Sequence, residues 1–142
     1  MTVLSQLKIK GFRNIGEASV APSSHINVLV GPNGSGKTNF LEALYYLSRG
    51  ESFRRHKPAN LVQHGALGCS IFGCFDQGRR SLGVGLVNGV RSGKLDGEPA
   101  RRRSDLAKAV PVSFFGPGVT DYIDDGPNAR RRFLDWGLFH VE

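Results

Sequence analysis

The 142-residue sequence predicts an α/β fold, and three adjoining stretches carry that prediction. Ile26-Asn27-Val28-Leu29-Val30 is a short apolar run that reads as a buried strand. Gly31-Pro32-Asn33-Gly34-Ser35-Gly36-Lys37-Thr38 follows at once and fits G-x-x-x-x-G-K-[ST], the P-loop pattern of nucleotide triphosphatases. Thr38 to about Ser48 then sets Leu41, Leu44, Tyr45 and Leu47 at helical spacing. Strand, glycine loop and helix is the order the motif requires, because successive backbone N–H groups and the helix N-terminus must converge on phosphate oxygens.

The loop residues have separable expected roles. Gly31, Gly34 and Gly36 allow backbone angles and close approach that a β-carbon would hinder. Pro32, Asn33 and Ser35 complete the cradle, and Asn39 stands just behind it. Lys37 is expected to reach the terminal phosphates as a point charge. The Thr38 hydroxyl is expected to ligate Mg²⁺, a cation that demands oxygen ligands. The cofactors implied are ATP and Mg²⁺.

The remaining elements follow in chain order. Leu7, Ile9 and Gly11 alternate with Lys8, Lys10 and Phe12, the pattern of a half-exposed strand. A turn at Asn14-Ile15-Gly16 leads to a short strand near Ala18 to Ala21. The P-loop helix ends near Gly50. Glu51 to Gln63, polar and containing Pro58, reads as loop or short helix. Cys69 to Phe75, Leu82 to Val87 and Val90 to Leu95 form a predicted antiparallel section. Asp76-Gln77-Gly78, Asn88-Gly89 and Asp96-Gly97 supply its turns. Ser104 is placed to cap a short helix through Ala109. Val110 to Phe115 resembles a buried strand, with Phe114 and Phe115 in the core. From Pro127 the pattern is helical again, with Phe133, Leu134, Gly137 and Leu138 on one face.

Composition narrows the function classes. The formal net charge of +7 suggests a polyanionic partner, most often nucleic acid. Arg54-Arg55 and Arg101-Arg102-Arg103 are the candidate contacts to DNA phosphates, since Lys and Arg supply sequence-independent affinity. Arg130, Arg131 and Arg132 stand at a helix start, where the helix dipole disfavours cations. The two cysteines, Cys69 and Cys74, lie five apart, on opposite faces of an ideal strand, and read as free thiols in a reducing cytosol. No apolar run reaches the length of a membrane span, and no signal peptide is evident, so a cytoplasmic location is expected.

One expected part of a nucleotidase is missing from the sequence pattern. Hydrolysis needs a carboxylate to hold the metal or polarise water, usually at the end of a second apolar strand. Tyr122-Ile123-Asp124-Asp125 is interrupted by Asp121 and followed by Gly126-Pro127, so it reads as a helix end or turn. Residues 1–142 are accordingly expected to be the front of a longer nucleotide-binding domain, with the P-loop at 31–38 and the remainder beyond 142.

Lys10-Gly11-Phe12-Arg13-Asn14, Leu29 to Asn39, Leu41-Glu42-Ala43-Leu44 and Ser52-Phe53-Arg54-Arg55 resemble the N-terminal region of the RecF family of bacterial replication and repair proteins. Gly126-Pro127-Asn128-Ala129-Arg130-Arg131-Arg132-Phe133-Leu134-Asp135-Trp136-Gly137 is the most specific stretch of the resemblance. The resemblance implies lobe I of an ABC-type ATPase head, incomplete here, related to chromosome-maintenance ATPases. It implies that two heads close around ATP as a dimerisation switch, with a signature motif supplied in trans. It places Arg13 close to the nucleotide. It implies partners: single-stranded DNA, gapped DNA and junctions, a second copy of the chain, and recombination mediators. It also implies roles in replication, recombinational repair and the SOS response, with weak DNA-stimulated ATPase activity in the full-length protein. One departure is Gly118-Val119 after Phe114-Phe115-Gly116-Pro117, where family members usually carry an acidic residue. The alternatives are another chromosome-maintenance-type head, a P-loop kinase of small molecules, or a nucleotide-binding piece with no activity of its own.

Overall fold

The computed structural model describes residues 2–54 and 58–116, together with Pro127, Arg131 and Asp135. Its strands are β1 (Leu4–Phe12), β2 (Ile15–Val20), β3 (Gly68–Phe75), β4 (Arg80–Val87), β5 (Val90–Leu95) and β6 (Glu98–Pro99). Its two described α-helices are α1 (Lys37–Arg49), between β2 and β3, and α2 (Arg103–Ala109), after β6. The strands form one sheet in the order β2-β1-β3-β4-β5-β6, with every pairing antiparallel.

Turn chemistry sets this meander. Asn88 and Gly89 have φ of 49° and 78°, the left-handed pair of a two-residue hairpin, and Val87 faces Val90 across it. Asp76, Gln77 and Gly78 are all left-handed and join β3 to β4. Asp96 and Gly97, at 52° and 88°, turn β5 into β6, a strand the sequence pattern did not signal. Asp76 Oδ1 also accepts the Val3 N–H at 2.8 Å, which ties the start of β1 to that hairpin.

The strand periodicity sorts the sheet into faces. Ile9 pairs with Ile71 and Ile71 with Val84, so one apolar row crosses three strands. Leu7, Leu82 and Leu86 join it, all fully buried, whereas Lys8 and Lys10 point to solvent. Helix α1 covers this face with Ala43, Tyr46 and Leu47, and α2 adds Leu106 and Ala109. Helix α1 starts at the Gly36 N-cap and stops at Gly50, whose φ of 64° and N–H to the Tyr46 carbonyl close the last turn.

Gly11 shows how tightly the sheet is drawn. Its φ is +62°, and a β-carbon there would lie 2.6 Å from the Gly68 carbonyl oxygen. Gly11→Ala combines a left-handed backbone with a clash against main chain, and is expected to cost about 1–3 kcal/mol. Urea denaturation measures it; an unchanged midpoint would contradict the geometry.

Several expectations need correction. Residues 26–30 do not form a strand: Ile26, Val28 and Val30 are 85%, 77% and 89% exposed, and the segment pairs with none of the six strands. A doubly covered strand needs a neighbour on its edge and a layer on each face, and the described residues supply neither. Val110 to Phe115 is not a strand either. Val110 is buried, Phe114 is half-buried and Phe115 is 70% exposed, so Phe115 is not core. The α2 N-cap is Arg102 rather than Ser104; the Arg102 N–H donates to Asp105 Oδ2 at 2.9 Å, satisfying the helix start from its first turn. The expected first-half strand at Ala18 to Ala21 is in fact Ile15–Val20. Pro127, Arg131 and Asp135 are helical and exposed, as the pattern from Pro127 predicts. Phe133, Leu134, Gly137, Leu138, Asp124 and Asp125 lie outside the described residues, as do Arg130 and Arg132.

Cys69 and Cys74 are free, the first buried and the second half-buried. Burial pushes the Cys69 thiol up to about 11. At pH 8 alkylation should therefore consume Cys74 well before Cys69, because the thiolate is the nucleophile. Mass mapping of a timed iodoacetamide reaction reads this; equal rates would contradict the packing of β3.

Candidate functional site

The glycine loop sits between the end of the 26–30 segment and α1. Gly34 and Gly36 have φ of 82° and 101°, angles that favour glycine. A β-carbon on Gly31 would lie 2.8 Å from Ser35 Oγ, and one on Gly36 would lie 2.8 Å from Asn14 Oδ1. The Ser35 N–H donates to the Pro32 carbonyl at 3.3 Å, closing the loop on itself. The Phe40 N–H donates to the Gly36 carbonyl at 2.8 Å, so the amides of Lys37, Thr38 and Asn39 precede the helix ladder. No acidic residue occupies the first turn of α1. Donors, dipole and missing acid together make an anion cradle.

Lys37 Nζ lies across this cradle and donates to the Gly31 and Pro32 carbonyls, each at 2.7 Å. Thr38 is exposed at the helix start, beside it. Among the described residues no group of three or more His, Cys, Asp or Glu is placed to hold a metal. The cradle fits a polyphosphate; a divalent cation there would be held by Thr38 together with phosphate oxygens.

Arg13 occupies the β1–β2 turn, with φ 55°. Its guanidinium donates to Glu42 through Nε at 3.1 Å and Nη2 at 2.7 Å, and to the Asn60 carbonyl through Nη1 at 2.8 Å. The fork that the family resemblance places near a nucleotide is thus spent on a buried carboxylate and a carbonyl. Arg54 also bonds α1 residues rather than standing free: its Nη1 donates to Asn39 Oδ1 at 3.0 Å and lies 3.6 Å from Glu42 Oε2. Arg55 lies outside the described residues.

Arg101, Arg102 and Arg103 stand on the far side of α1, around a cavity of about 160 Å³. Arg91 of β5, Tyr46 and Gly50 line it as well. Arg103 pairs loosely with Glu51 at 3.6 Å, both side chains exposed. Burial raises the Tyr46 hydroxyl pKa, with Arg91 and Arg103 acting against that shift. None of the loop residues 31–38 lines this cavity. Sequence reasoning did not single out Arg91, two residues past the Asn88-Gly89 turn, as a neighbour of this arginine group. It also missed Glu42, an acid within the helix run whose side chain is fully buried.

An antiparallel sheet packed on a helix that begins with a G-x-x-x-x-G-K-T loop defines this chain as part of an ABC-type ATPase head. Residues 3–86 match the RecF/RecN/SMC N terminal domain, and the chain belongs to that family. It is similar to the DNA replication and repair protein RecF of Shewanella amazonensis, 42% identical over 142 residues and covering 97% of the chain. It is likewise similar to RecF of Idiomarina loihiensis, at 41% over 140 residues. It spans 39% of each of these two relatives' length. Among solved structures it resembles the recombination mediator protein RecF with ATP, with TM-score 0.89 and 26% identity over 99% of this chain and 40% of that one. A structure of an SMC ATPase shares the fold, with TM-score 0.75 at 24% identity, over 94% of this chain and 98% of that one.

Proposed function

We propose that the chain is the ATP-binding N-terminal lobe of a RecF-type DNA repair protein. The observation that carries the reading is the phosphate cradle: positive-φ Gly34 and Gly36, the amides of residues 37–39 ahead of the helix ladder, and Lys37 reaching over the loop. Residues 31–39 hold the polyphosphate. Lys37 exchanges the Gly31 and Pro32 carbonyls for terminal phosphate oxygens, and Thr38 holds Mg²⁺. The bound metal supplies charge neutralisation at the phosphates. Arg13 acts behind the loop through Glu42.

ATP serves as a switch that closes two copies, and Arg101, Arg102, Arg103 and Arg91 contact the phosphates of single-stranded or gapped DNA. Names of relatives as repair proteins and as a recombination mediator support this, as does the net charge of +7. Work alongside other recombination mediators in the cytoplasm belongs to the same reading. No described helix is long and apolar enough to cross a membrane.

The test pairs two measurements. Calorimetry should show Mg²⁺-dependent ATP binding; its absence would refute the nucleotide reading. DNA affinity should fall at least tenfold between low and physiological salt, with little sequence preference, because phosphate contacts release counterions. Salt-independent affinity, or strong preference for one sequence, would refute the DNA reading.

The cradle lacks a carboxylate to orient water among the described residues, so the chain alone should release phosphate no faster than buffer. Phosphoryl transfer depends on positioning and charge stabilisation from all parts of a site. Turnover abolished by Lys37→Ala would instead place a complete active site within these residues and return attention to Asp124 and Asp125.

A further inference from the structure

Behind the phosphate loop, polar side chains form one connected chain that the loop motif does not account for. Glu42 lies on α1, five residues past Lys37, and its side chain is fully buried. A buried carboxylate is strongly disfavoured unless paired and hydrogen-bonded. Glu42 meets that condition with three partners: the Arg13 fork, the Ser52 hydroxyl, and the Arg54 guanidinium. Among the described residues, two guanidiniums face this one carboxylate.

The chain continues outward to the loop. Arg54 Nη1 donates to Asn39 Oδ1 at 3.0 Å, Asn39 Nδ2 donates to Asn14 Oδ1 at 2.8 Å, and Asn14 Nδ2 donates to the Gly34 carbonyl at 3.2 Å. Asn14 also packs against Gly36, where any β-carbon would come within 2.8 Å of its Oδ1. The two glycines with positive φ in the cradle are therefore both braced by Asn14. The asparagine amides are polar in both directions, and each bond here fixes the orientation of the next.

We propose that Glu42 is a positioning residue for nucleoside triphosphate binding, fixing the phosphate loop through Arg54, Asn39 and Asn14. This rests on the nucleotide reading of the loop. Among the described residues the bonds of Glu42 run to Arg13, Ser52 and Arg54. Its carboxylate lies 3.6 Å from the guanidinium that donates to Asn39, and it joins the β1–β2 turn, α1 and the segment after α1 into one brace. The brace pre-forms the cradle before ligand arrives, so binding loses less ordering entropy.

Glu42→Gln and Asn14→Ala cut the brace at its two ends, and a double-mutant cycle joins them. Each single variant should weaken ATP binding by about tenfold, the loss of about one hydrogen bond. The double variant should bind no worse than the weaker single. In the nucleotide-free chain, amides of residues 33–36 should exchange with deuterium faster in both variants than in the parent. Independent effects that multiply in the double variant would overturn the proposal. So would unchanged loop exchange and unchanged affinity in variants whose only change is a lower melting temperature, the mark of a purely structural role. If Glu42→Gln does not fold, Glu42→Asp, which keeps the charge but shortens the reach to Arg54, takes its place in the cycle with Asn14→Ala on the same two readouts. If the parent binds no ATP, the nucleotide reading fails, and loop exchange still decides whether the brace exists.

Discussion

Lys37→Ala should lower ATP affinity by roughly 10–150-fold while leaving the fold intact. Among the described residues Lys37 Nζ bonds two loop carbonyls, at 2.7 Å each, and the side chain is not part of the buried core. Its removal therefore costs the cradle rather than the sheet. A hydrogen bond to a charged group contributes on the order of 1.5–3 kcal/mol, which sets the range. The loop amides remain, so weak binding should persist at high nucleotide concentration. Calorimetry of both proteins, with circular dichroism to confirm folding, measures the difference. Equal affinities would mean that the G-x-x-x-x-G-K-T match has no nucleotide behind it.

The largest stability effect should come from Phe12→Ala. Phe12 ends β1, is fully buried, and its ring centroid lies 6.1 Å from that of Tyr46 on α1. Its backbone also forms an isolated antiparallel bridge with Val62, so sheet, helix and the segment before β3 meet at this residue. Truncating such a ring removes its transfer energy and leaves a cavity, about 3–5 kcal/mol, or roughly 10–20 °C in melting temperature. Phe115→Ala is the control, since that ring is 70% exposed and should change little. A Phe12→Ala melting temperature within about 2 °C of the parent would contradict the core assignment.

What the sequence made legible was local. The phosphate loop, α1 and its Gly50 stop are written in consecutive residues. The meander is equally plain, because Asn88-Gly89 and the Asp-Gly turn adopt the left-handed angles their chemistry favours. Residues 26–30 read as a strand because apolar content marks a wish for burial, but burial depends on partners. With no described strand beside them, Ile26, Val28 and Val30 stay exposed. Val110 to Phe115 failed in a related way: Val110 is buried and Val112 packs against the core, but no strand pairs with the segment and Phe115 stays exposed. There Phe114 stacks on Phe53 at 3.9 Å, a contact between residues far apart in sequence that no periodicity reports.

The site shows the same division. The cradle follows from its own eight-residue pattern. The brace behind it joins residues 13, 14, 34, 39, 42, 52 and 54, and only folding brings them together. On the sequence, Glu42 is an ordinary helix acid. What could have flagged it is position: it sits four residues before Tyr46, on the buried face, where an unpaired charge would not be tolerated. Arg54 shows the reverse limit of the sequence. As half of a basic pair it suggested DNA, yet its guanidinium is occupied by Asn39 and Glu42. Arg91, Arg101, Arg102 and Arg103 instead line the α1–α2–β5 cavity.

The most direct test of the account is to map where nucleotide binds. Backbone amide spectra of the isotope-labelled chain, titrated with Mg²⁺ and a non-hydrolysable ATP analogue, should shift most at residues 33–39. Those residues carry the positive-φ glycines and the amides ahead of the α1 ladder. The arginine cavity at Arg91 and Arg101 to Arg103 should shift far less. Largest shifts at that cavity, or saturation without movement of the Gly34, Gly36 and Lys37 amides, would contradict the assignment of this loop as the ATP site.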